Sequence, residues 1–343
     1  MALKLSVLSS FSADGIESAA RYLAPSRHCV ELYAFMQTDL RLLSRHIPIV
    51  RSHLKSSNEE PTMHSILGRL NDVPENQIRS LAHEISELFG DCRIIGIATY
   101  LPEISAPEKK NMVAWQDAQR GLIFIVRLAK ALNAIGHNHL RTVELVAGSI
   151  TAGLFFEHSF PQTLYSFKQK QAQCIDQLIT RLEDVATIAS DGKVINLAVE
   201  CEPGPLFVLN DFWAARALCN AAEFGSHAIR RVLGLNIDIP HWAFLGDEKM
   251  QKCSTVFNDP MISRRIVHAH ISDHSSGHNS DNVPGWCHDI EEFRPWIRQL
   301  RQLPITQQGE VRPRFSGFIS CEMEACKSEL LLSEAIKQCD ALI

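Results

Sequence analysis

Four short stretches in the C-terminal half place carboxylates and imidazoles directly after apolar runs. They read Leu197-Ala198-Val199-Glu200-Cys201-Glu202, Leu235-Asn236-Ile237-Asp238-Ile239-Pro240-His241, Ile266-Val267-His268-Ala269-His270-Ile271-Ser272-Asp273 and Gly317-Phe318-Ile319-Ser320-Cys321-Glu322-Met323-Glu324. An ionised side chain left alone in an apolar interior costs several kcal/mol, so such groups are paired or coordinate a metal. Two or three carboxylates with one imidazole make a hard oxygen and nitrogen donor set, suited to one divalent ion of Mn, Mg, Co or Zn. Cys201 and Cys321 alternate with the glutamates and are expected to point away from such an ion and pack behind the sheet.

The elements that must position these groups are strands that alternate with helices. Eight apolar or β-branched runs carry the strand signal: Leu3–Leu8, Cys29–Tyr33, Arg93–Tyr100, Thr142–Ala147, Val194–Glu200, Leu235–Asp238, Ile266–Ile271 and Phe318–Glu322. Several lack polar alternation, as strands buried on both faces of a parallel sheet do. Between them, Ile78, Leu81, Ala82, Ile85, Leu88 and Phe89 form one helical stripe closed by Gly90. Similar amphipathic segments span 113–134, 167–185, 212–222 and 328–342. Eight strands joined by right-handed helical crossovers predict an α/β fold, a single-domain (β/α)8 TIM barrel over residues 1–343. The loops at the C-terminal strand ends form the active face of such a barrel, so the polar groups above should meet at its mouth.

Two stretches depart from this rhythm. An insertion after strand two, roughly residues 39–74, is too long for one connection, and Ser56-Ser57-Asn58-Glu59-Glu60-Pro61 reads as an exposed loop within it. Residues 272–286 are rich in Gly, Ser, Asn and His and follow strand seven directly, which marks a substrate-binding loop. His274, His278 and His288 in that loop are expected to be solvated.

The order Glu, Asp-x-x-His, His-x-His-x-x-Asp, Glu resembles the xylose-isomerase-like superfamily of sugar isomerases, sugar-phosphate epimerases and type IV apurinic endonucleases, chiefly over the last half of the chain. Thr142-Val143-Glu144-Leu145-Val146-Ala147-Gly148-Ser149 is similar to that family's fourth strand and the Gly-rich turn after it. The resemblance implies a divalent metal held by Glu200, Asp238, His270 and Glu322, with Glu200 and Glu322 also serving as the acid/base pair and His241 contacting substrate. The implied reaction is isomerisation or epimerisation of a sugar, polyol or keto-sugar through an enediolate. Residues two apart on a strand share a face, so Glu202 can replace Glu200 and Glu324 can replace Glu322. We prefer the first of each pair because it directly follows the apolar run. Glu202, Glu324, His268 and Asp273 are further candidates for contact with substrate. His268 can alternatively orient another ligand, and Asp273 can support a ligand histidine from behind.

Composition narrows the alternatives. Lys+Arg number 34 against Asp+Glu 39, a net charge of -5, which is poorly suited to holding a nucleic acid. A type IV endonuclease-like phosphodiesterase should also carry histidines on strands three and four, where the chain has Ile97-Ala98-Thr99-Tyr100 and Val143-Glu144-Leu145-Val146. An amidohydrolase would place His-x-His on its first strand rather than its seventh. A non-catalytic barrel serving as a binding or assembly component is the remaining alternative, raised by the insertion and by Glu202-Pro203-Gly204-Pro205. The ten cysteines are spread singly, as reduced thiols of a cytoplasmic protein are. No secretion signal is read at the N-terminus, and no window approaches the ~18 consecutive apolar residues that a membrane helix needs. The expected partners are a carbohydrate-like small molecule lacking phosphate and a second copy of the chain, in a homodimer or higher homo-oligomer.

Overall fold

The computed structural model describes residues 3–56, 66, 68–105, 112–148, 164–204, 207–275, 281–304, 312–324 and 328–343. All eight apolar runs form strands: β1 Lys4–Leu8, β2 Cys29–Tyr33, β3 Ile94–Thr99, β4 Thr142–Val146, β5 Asn196–Glu200, β6 Leu233–Asp238, β7 Ile266–Ile271 and β8 Phe318–Cys321. They pair in parallel in chain order, and β8 returns to β1 through Lys4 opposite Phe318 and Val7 opposite Cys321, closing the barrel. β6 begins two residues earlier than its apolar pattern suggests, because the helix His227–Val232 runs straight into it. β8 ends one residue before Glu322, whose N–H still donates to Ile271 O at 3.0 Å and keeps it beside β7.

The crossovers are helical. Glu75–Phe89 buries Ile78, Leu81, Ala82, Ile85 and Phe89 and stops at Gly90, whose φ of 53° suits a residue without Cβ. Met112–Ala134, Leu164–Ser190, Phe212–Phe224 and Glu329–Leu342 occupy the other expected helical segments. The insertion is more ordered than its polar loop suggests. Leu40–His46 and Pro48–Ser56 are helices there, with Leu42, Leu43, Ile47 and Val50 fully buried. The tip of the insertion, from residue 57 to 65, lies outside the described residues.

Side chains alternate across each strand, so one set faces the helices and the other fills the barrel. On β7, Ala269 and Ile271 join the apolar layer while His268 and His270 turn inward, and all four are buried. The inner set is polar on most strands: Ser6, Glu31, Glu144, Asn196, Asn236, Asp238 and Ser320 are all buried. Gly96 of β3 makes room for one of them, since a Cβ there would lie 3.0 Å from Glu31 Oε1. Nine cysteines among the described residues are free thiols, and no helix among those residues is long and apolar enough to cross a membrane.

Candidate metal centre

Parallel register brings the four motif-bearing strands to the same end of the barrel. Asp238 pairs with His270 across β6 and β7, and His270 pairs with Ser320 two residues before Glu322. His270 Nδ1 lies 2.9 Å from Glu322 Oε2 and 4.0 Å from Glu200 Oε1. Glu200, His270 and Glu322 thus place one ligand atom each within 4.8 Å of one another. Asp238 joins through His241, whose Nδ1 is 2.9 Å from Asp238 Oδ2 and 3.6 Å from Glu200 Oε1. His241 opens a π-helical turn, His241–Leu245, three residues beyond the end of β6, and its imidazole lies against Asp238 and Glu200 at the strand ends. Glu202 sits farther out, 3.9 Å from His241 Nε2.

Glu200, Glu202, Glu322 and His241 border a cavity of about 680 Å³ that Glu144, Glu324, Asp281, Tyr33, Thr99 and Tyr100 also line, while His270 and Asp238 are buried behind that lining. No Lys or Arg lines it among the described residues. The donor set fits a divalent cation by its chemistry. Glu200 Oε1 and Asp238 Oδ1 are buried without a well-directed hydrogen-bond donor, a costly state that a cation would relieve.

A sequence profile described as xylose isomerase-like TIM barrel matches residues 62–339. The chain belongs to this family. Structural neighbours of this xylose isomerase-like barrel share its fold at low identity. They include a D-tagatose 3-epimerase-like protein, at 14% identity and a TM-score of 0.56, covering 99% of this chain and 96% of that one. The IOLI protein with a binding zinc atom is similar at 13% identity and a TM-score of 0.56, with the same coverage. A putative xylose isomerase from Rhodospirillum rubrum has 11% identity and a TM-score of 0.58, covering 99% and 98%. No curated protein matches the chain.

Charges within the site of this xylose isomerase-like barrel act strongly on one another. Burial pushes the Glu322 carboxyl well above the usual range, against the pull of His270 and with the charge of Glu200 adding to the rise. Burial and the neighbouring Glu200 act the same way on Glu144. Burial opposes charge on His270, but the flanking carboxylates of Glu322 and Glu31 outweigh it and raise the imidazole well above its ordinary value. Asp238 is held low because His241 overcomes the burial that acts against ionisation. Burial lifts Glu202 and Asp281 to about 7 and keeps the Tyr33 hydroxyl protonated, a donor on the cavity wall.

Three expectations change. His268 is fully buried, lies outside the cavity lining and bonds Glu31, so direct substrate contact gives way to an interior role. Asp273 is also fully buried. Its Oδ2 accepts the backbone N–H groups of Gly285, Cys287 and His288, and His288 Nδ1 lies 2.7 Å from its Oδ1. It therefore pins the loop after β7 rather than touching the cavity. His274, expected to be solvated, is buried and stacked on His241 with ring centroids 5.2 Å apart, and Asp238, His241 and His274 form a second group of closely spaced donors. His288 is half-buried and His278 lies outside the described residues. Cys201 and Cys321 are buried away from the cavity, Cys321 against Cys339 of the last helix.

Sequence reasoning passed over Glu31, Glu144 and Asp281. Glu31 and Glu144 had a signal, since each is a single charge inside an apolar strand run and therefore must point into the barrel.

Proposed function

We propose that the chain is a divalent-metal-dependent isomerase or epimerase of a sugar, polyol or keto-sugar that works by moving a carbon-bound proton. The observation that carries this reading is the convergence of Glu200, His270 and Glu322, with ligand atoms within 4.8 Å, beside a cavity large enough for a monosaccharide. Glu200, Asp238, His270 and Glu322 would hold the ion, which when bound supplies a Lewis acid for two adjacent substrate oxygens. Glu200 and Glu322 reach the cavity from β5 and from beyond β8, so one can take the proton and the other return it. His241 lines the same wall and is placed to steady a sugar oxygen, with Glu202 and Glu324 around it to accept hydroxyl hydrogens. The lack of Lys or Arg on the described walls favours a substrate without phosphate or carboxylate. Structural neighbours described as a D-tagatose 3-epimerase-like protein and an L-ribulose 3-epimerase support the epimerase part of this reading, and the zinc atom of the IOLI protein supports the metal.

A second reading has one observation in its favour. Asp238, His241 and His274 would allow a further cation beside the first, and paired metals serve phosphodiester hydrolysis. The acidic cavity argues against a polyanionic substrate.

The test is to incubate the metal-loaded protein with neutral ketoses, aldoses and inososes in deuterated water, and to follow deuterium at carbon by NMR or mass spectrometry. Exchange beside the carbonyl with an epimeric or isomeric product is expected. Hydrolysis of an abasic-site DNA with no sugar exchange would overturn the reading.

A further inference from the structure

Below the cavity, in the next layer of the barrel interior, Glu31 of β2 reaches His268 and His270 of β7. Its Oε2 lies 2.8 Å from His268 Nε2 and 3.0 Å from His270 Nε2, and the Ser320 hydroxyl donates to the same oxygen at 2.5 Å. His268 Nδ1 is in turn 3.2 Å from Ser316 Oγ, and Ser6 Oγ is 2.8 Å from Ser320 Oγ. Neither Glu31 nor His268 has any exposed surface or borders the cavity, so substrate does not reach them. A carboxylate taken wholly out of water is retained only where its hydrogen bonds offset a cost of several kcal/mol. Gly96 opposite Glu31 also forgoes a side chain that would crowd Oε1.

We propose that Glu31 is a positioning residue for the metal centre: by accepting from Nε2 of His270 it fixes the ring so that Nδ1 faces Glu322, Glu200 and the cation between them. The inference rests on the metal-centre reading above. The two imidazole nitrogens of His270 are divided between the two layers, Nε2 toward Glu31 and Nδ1 toward Glu322 at 2.9 Å. The Nδ1 side faces the carboxylates that line the cavity, Glu322 and Glu200, whereas Glu31 on the Nε2 side does not line it. A carboxylate that accepts the remote N–H of a ligand histidine sets its tautomer and raises its basicity, and removing such a partner typically weakens metal binding about 10–100-fold. His268 and Ser320 share Oε2 and hold the carboxylate in place, which gives the first histidine of the His-x-His pair its use.

The rival for these atoms is a deeper cation bound by Glu31, His268 and His270 themselves, whose donor atoms also cluster within 4.8 Å. Titration of the metal-free protein with Co²⁺, read by chelator competition and visible absorption, separates the two. Glu31→Gln keeps the shape of the side chain, and it should bind the same number of Co²⁺ ions as wild type, about 10–100-fold more weakly. Wild-type affinity in Glu31→Gln overturns the proposal, as does loss of one whole equivalent with the rest unchanged, which assigns Glu31 as a ligand. A merely structural role lowers the melting temperature of the metal-free variant and leaves the affinity of its folded fraction intact. If wild type binds no Co²⁺ at all, the metal-centre reading fails and this one falls with it, a result distinct from a silent Glu31→Gln. Histidine ¹⁵N shifts of the Zn²⁺-loaded wild type need no variant: metal on Nδ1 and a proton on Nε2 of His270 are expected, and metal on Nε2 contradicts the assignment.

Discussion

Glu200 at the end of β5 and Glu322 just beyond β8 approach one imidazole nitrogen, and burial, with the charge of Glu200 adding to it, raises the affinity of Glu322 for a proton. That is the situation a cation and a shuttling proton both exploit. Replacing either acid with Gln leaves shape and cavity in place while removing the base, so carbon-bound deuterium exchange should fall about 10²–10⁴-fold in Glu200→Gln and Glu322→Gln. Steady-state exchange rates at saturating metal check this, and an unchanged rate in either variant removes that residue from the proton path. At this scale the outer carboxylates and histidines were legible because each follows an apolar run. The inner acids Glu31 and Glu144 were not, since a charge amid apolar strand residues declares burial without naming its partner. His274 was misjudged because a loop rich in Gly, Ser and Asn reads as solvated, whereas stacking on His241 draws it inside.

Among the elements, the strands were readable nearly residue for residue, and the departures have local causes. A helix abuts β6 without a turn, and β8 stops one residue before Glu322, whose side chain reaches the cavity while its backbone N–H stays bonded to β7. The insertion after β2 was read from its polar tip, while the buried stripe of Leu42, Leu43, Ile47 and Val50 shows that much of it packs as helix. The loop after β7 owes its shape to Asp273, which gathers four backbone N–H groups and an imidazole around one buried carboxylate. Removing it strands those donors, so Asp273→Ala should cost about 1–3 kcal/mol or more in urea unfolding. It should also speed amide hydrogen exchange at Gly285, Cys287 and His288 while leaving the β-strands protected. Uniform loss of protection would instead make Asp273 a determinant of the whole barrel.

For the molecule as a whole, the acidic mouth couples stability to pH and to cation. Glu202 and Asp281 have folded values of about 7, raised by burial above their unfolded ones, and His241 and His270 are raised above the ordinary imidazole value of about 6.5. A raised folded pKa gives stability present below the unfolded value and lost as pH climbs through the folded one. His274, lowered to about 4, opposes this trend only below about pH 6.5, where its unfolded form gains a proton. Between pH 6.5 and 8 the metal-free barrel should therefore lose stability, and a bound divalent ion, which favours the ionised acids, should flatten the slope. Urea unfolding at both pH values with chelator and with Mn²⁺ reads both effects, and a rise in stability with pH in chelator would contradict the assignment of these groups.

Metal content measured by inductively coupled plasma mass spectrometry, in wild type beside the double variant Glu200→Gln, His270→Ala, bears most directly on the central claim. After separate reloading with Mn, Co, Mg and Zn, wild type is predicted to retain close to one equivalent of at least one of these metals and the variant none. Equal metal in both, or none in either, would contradict a cation held by Glu200, Asp238, His270 and Glu322.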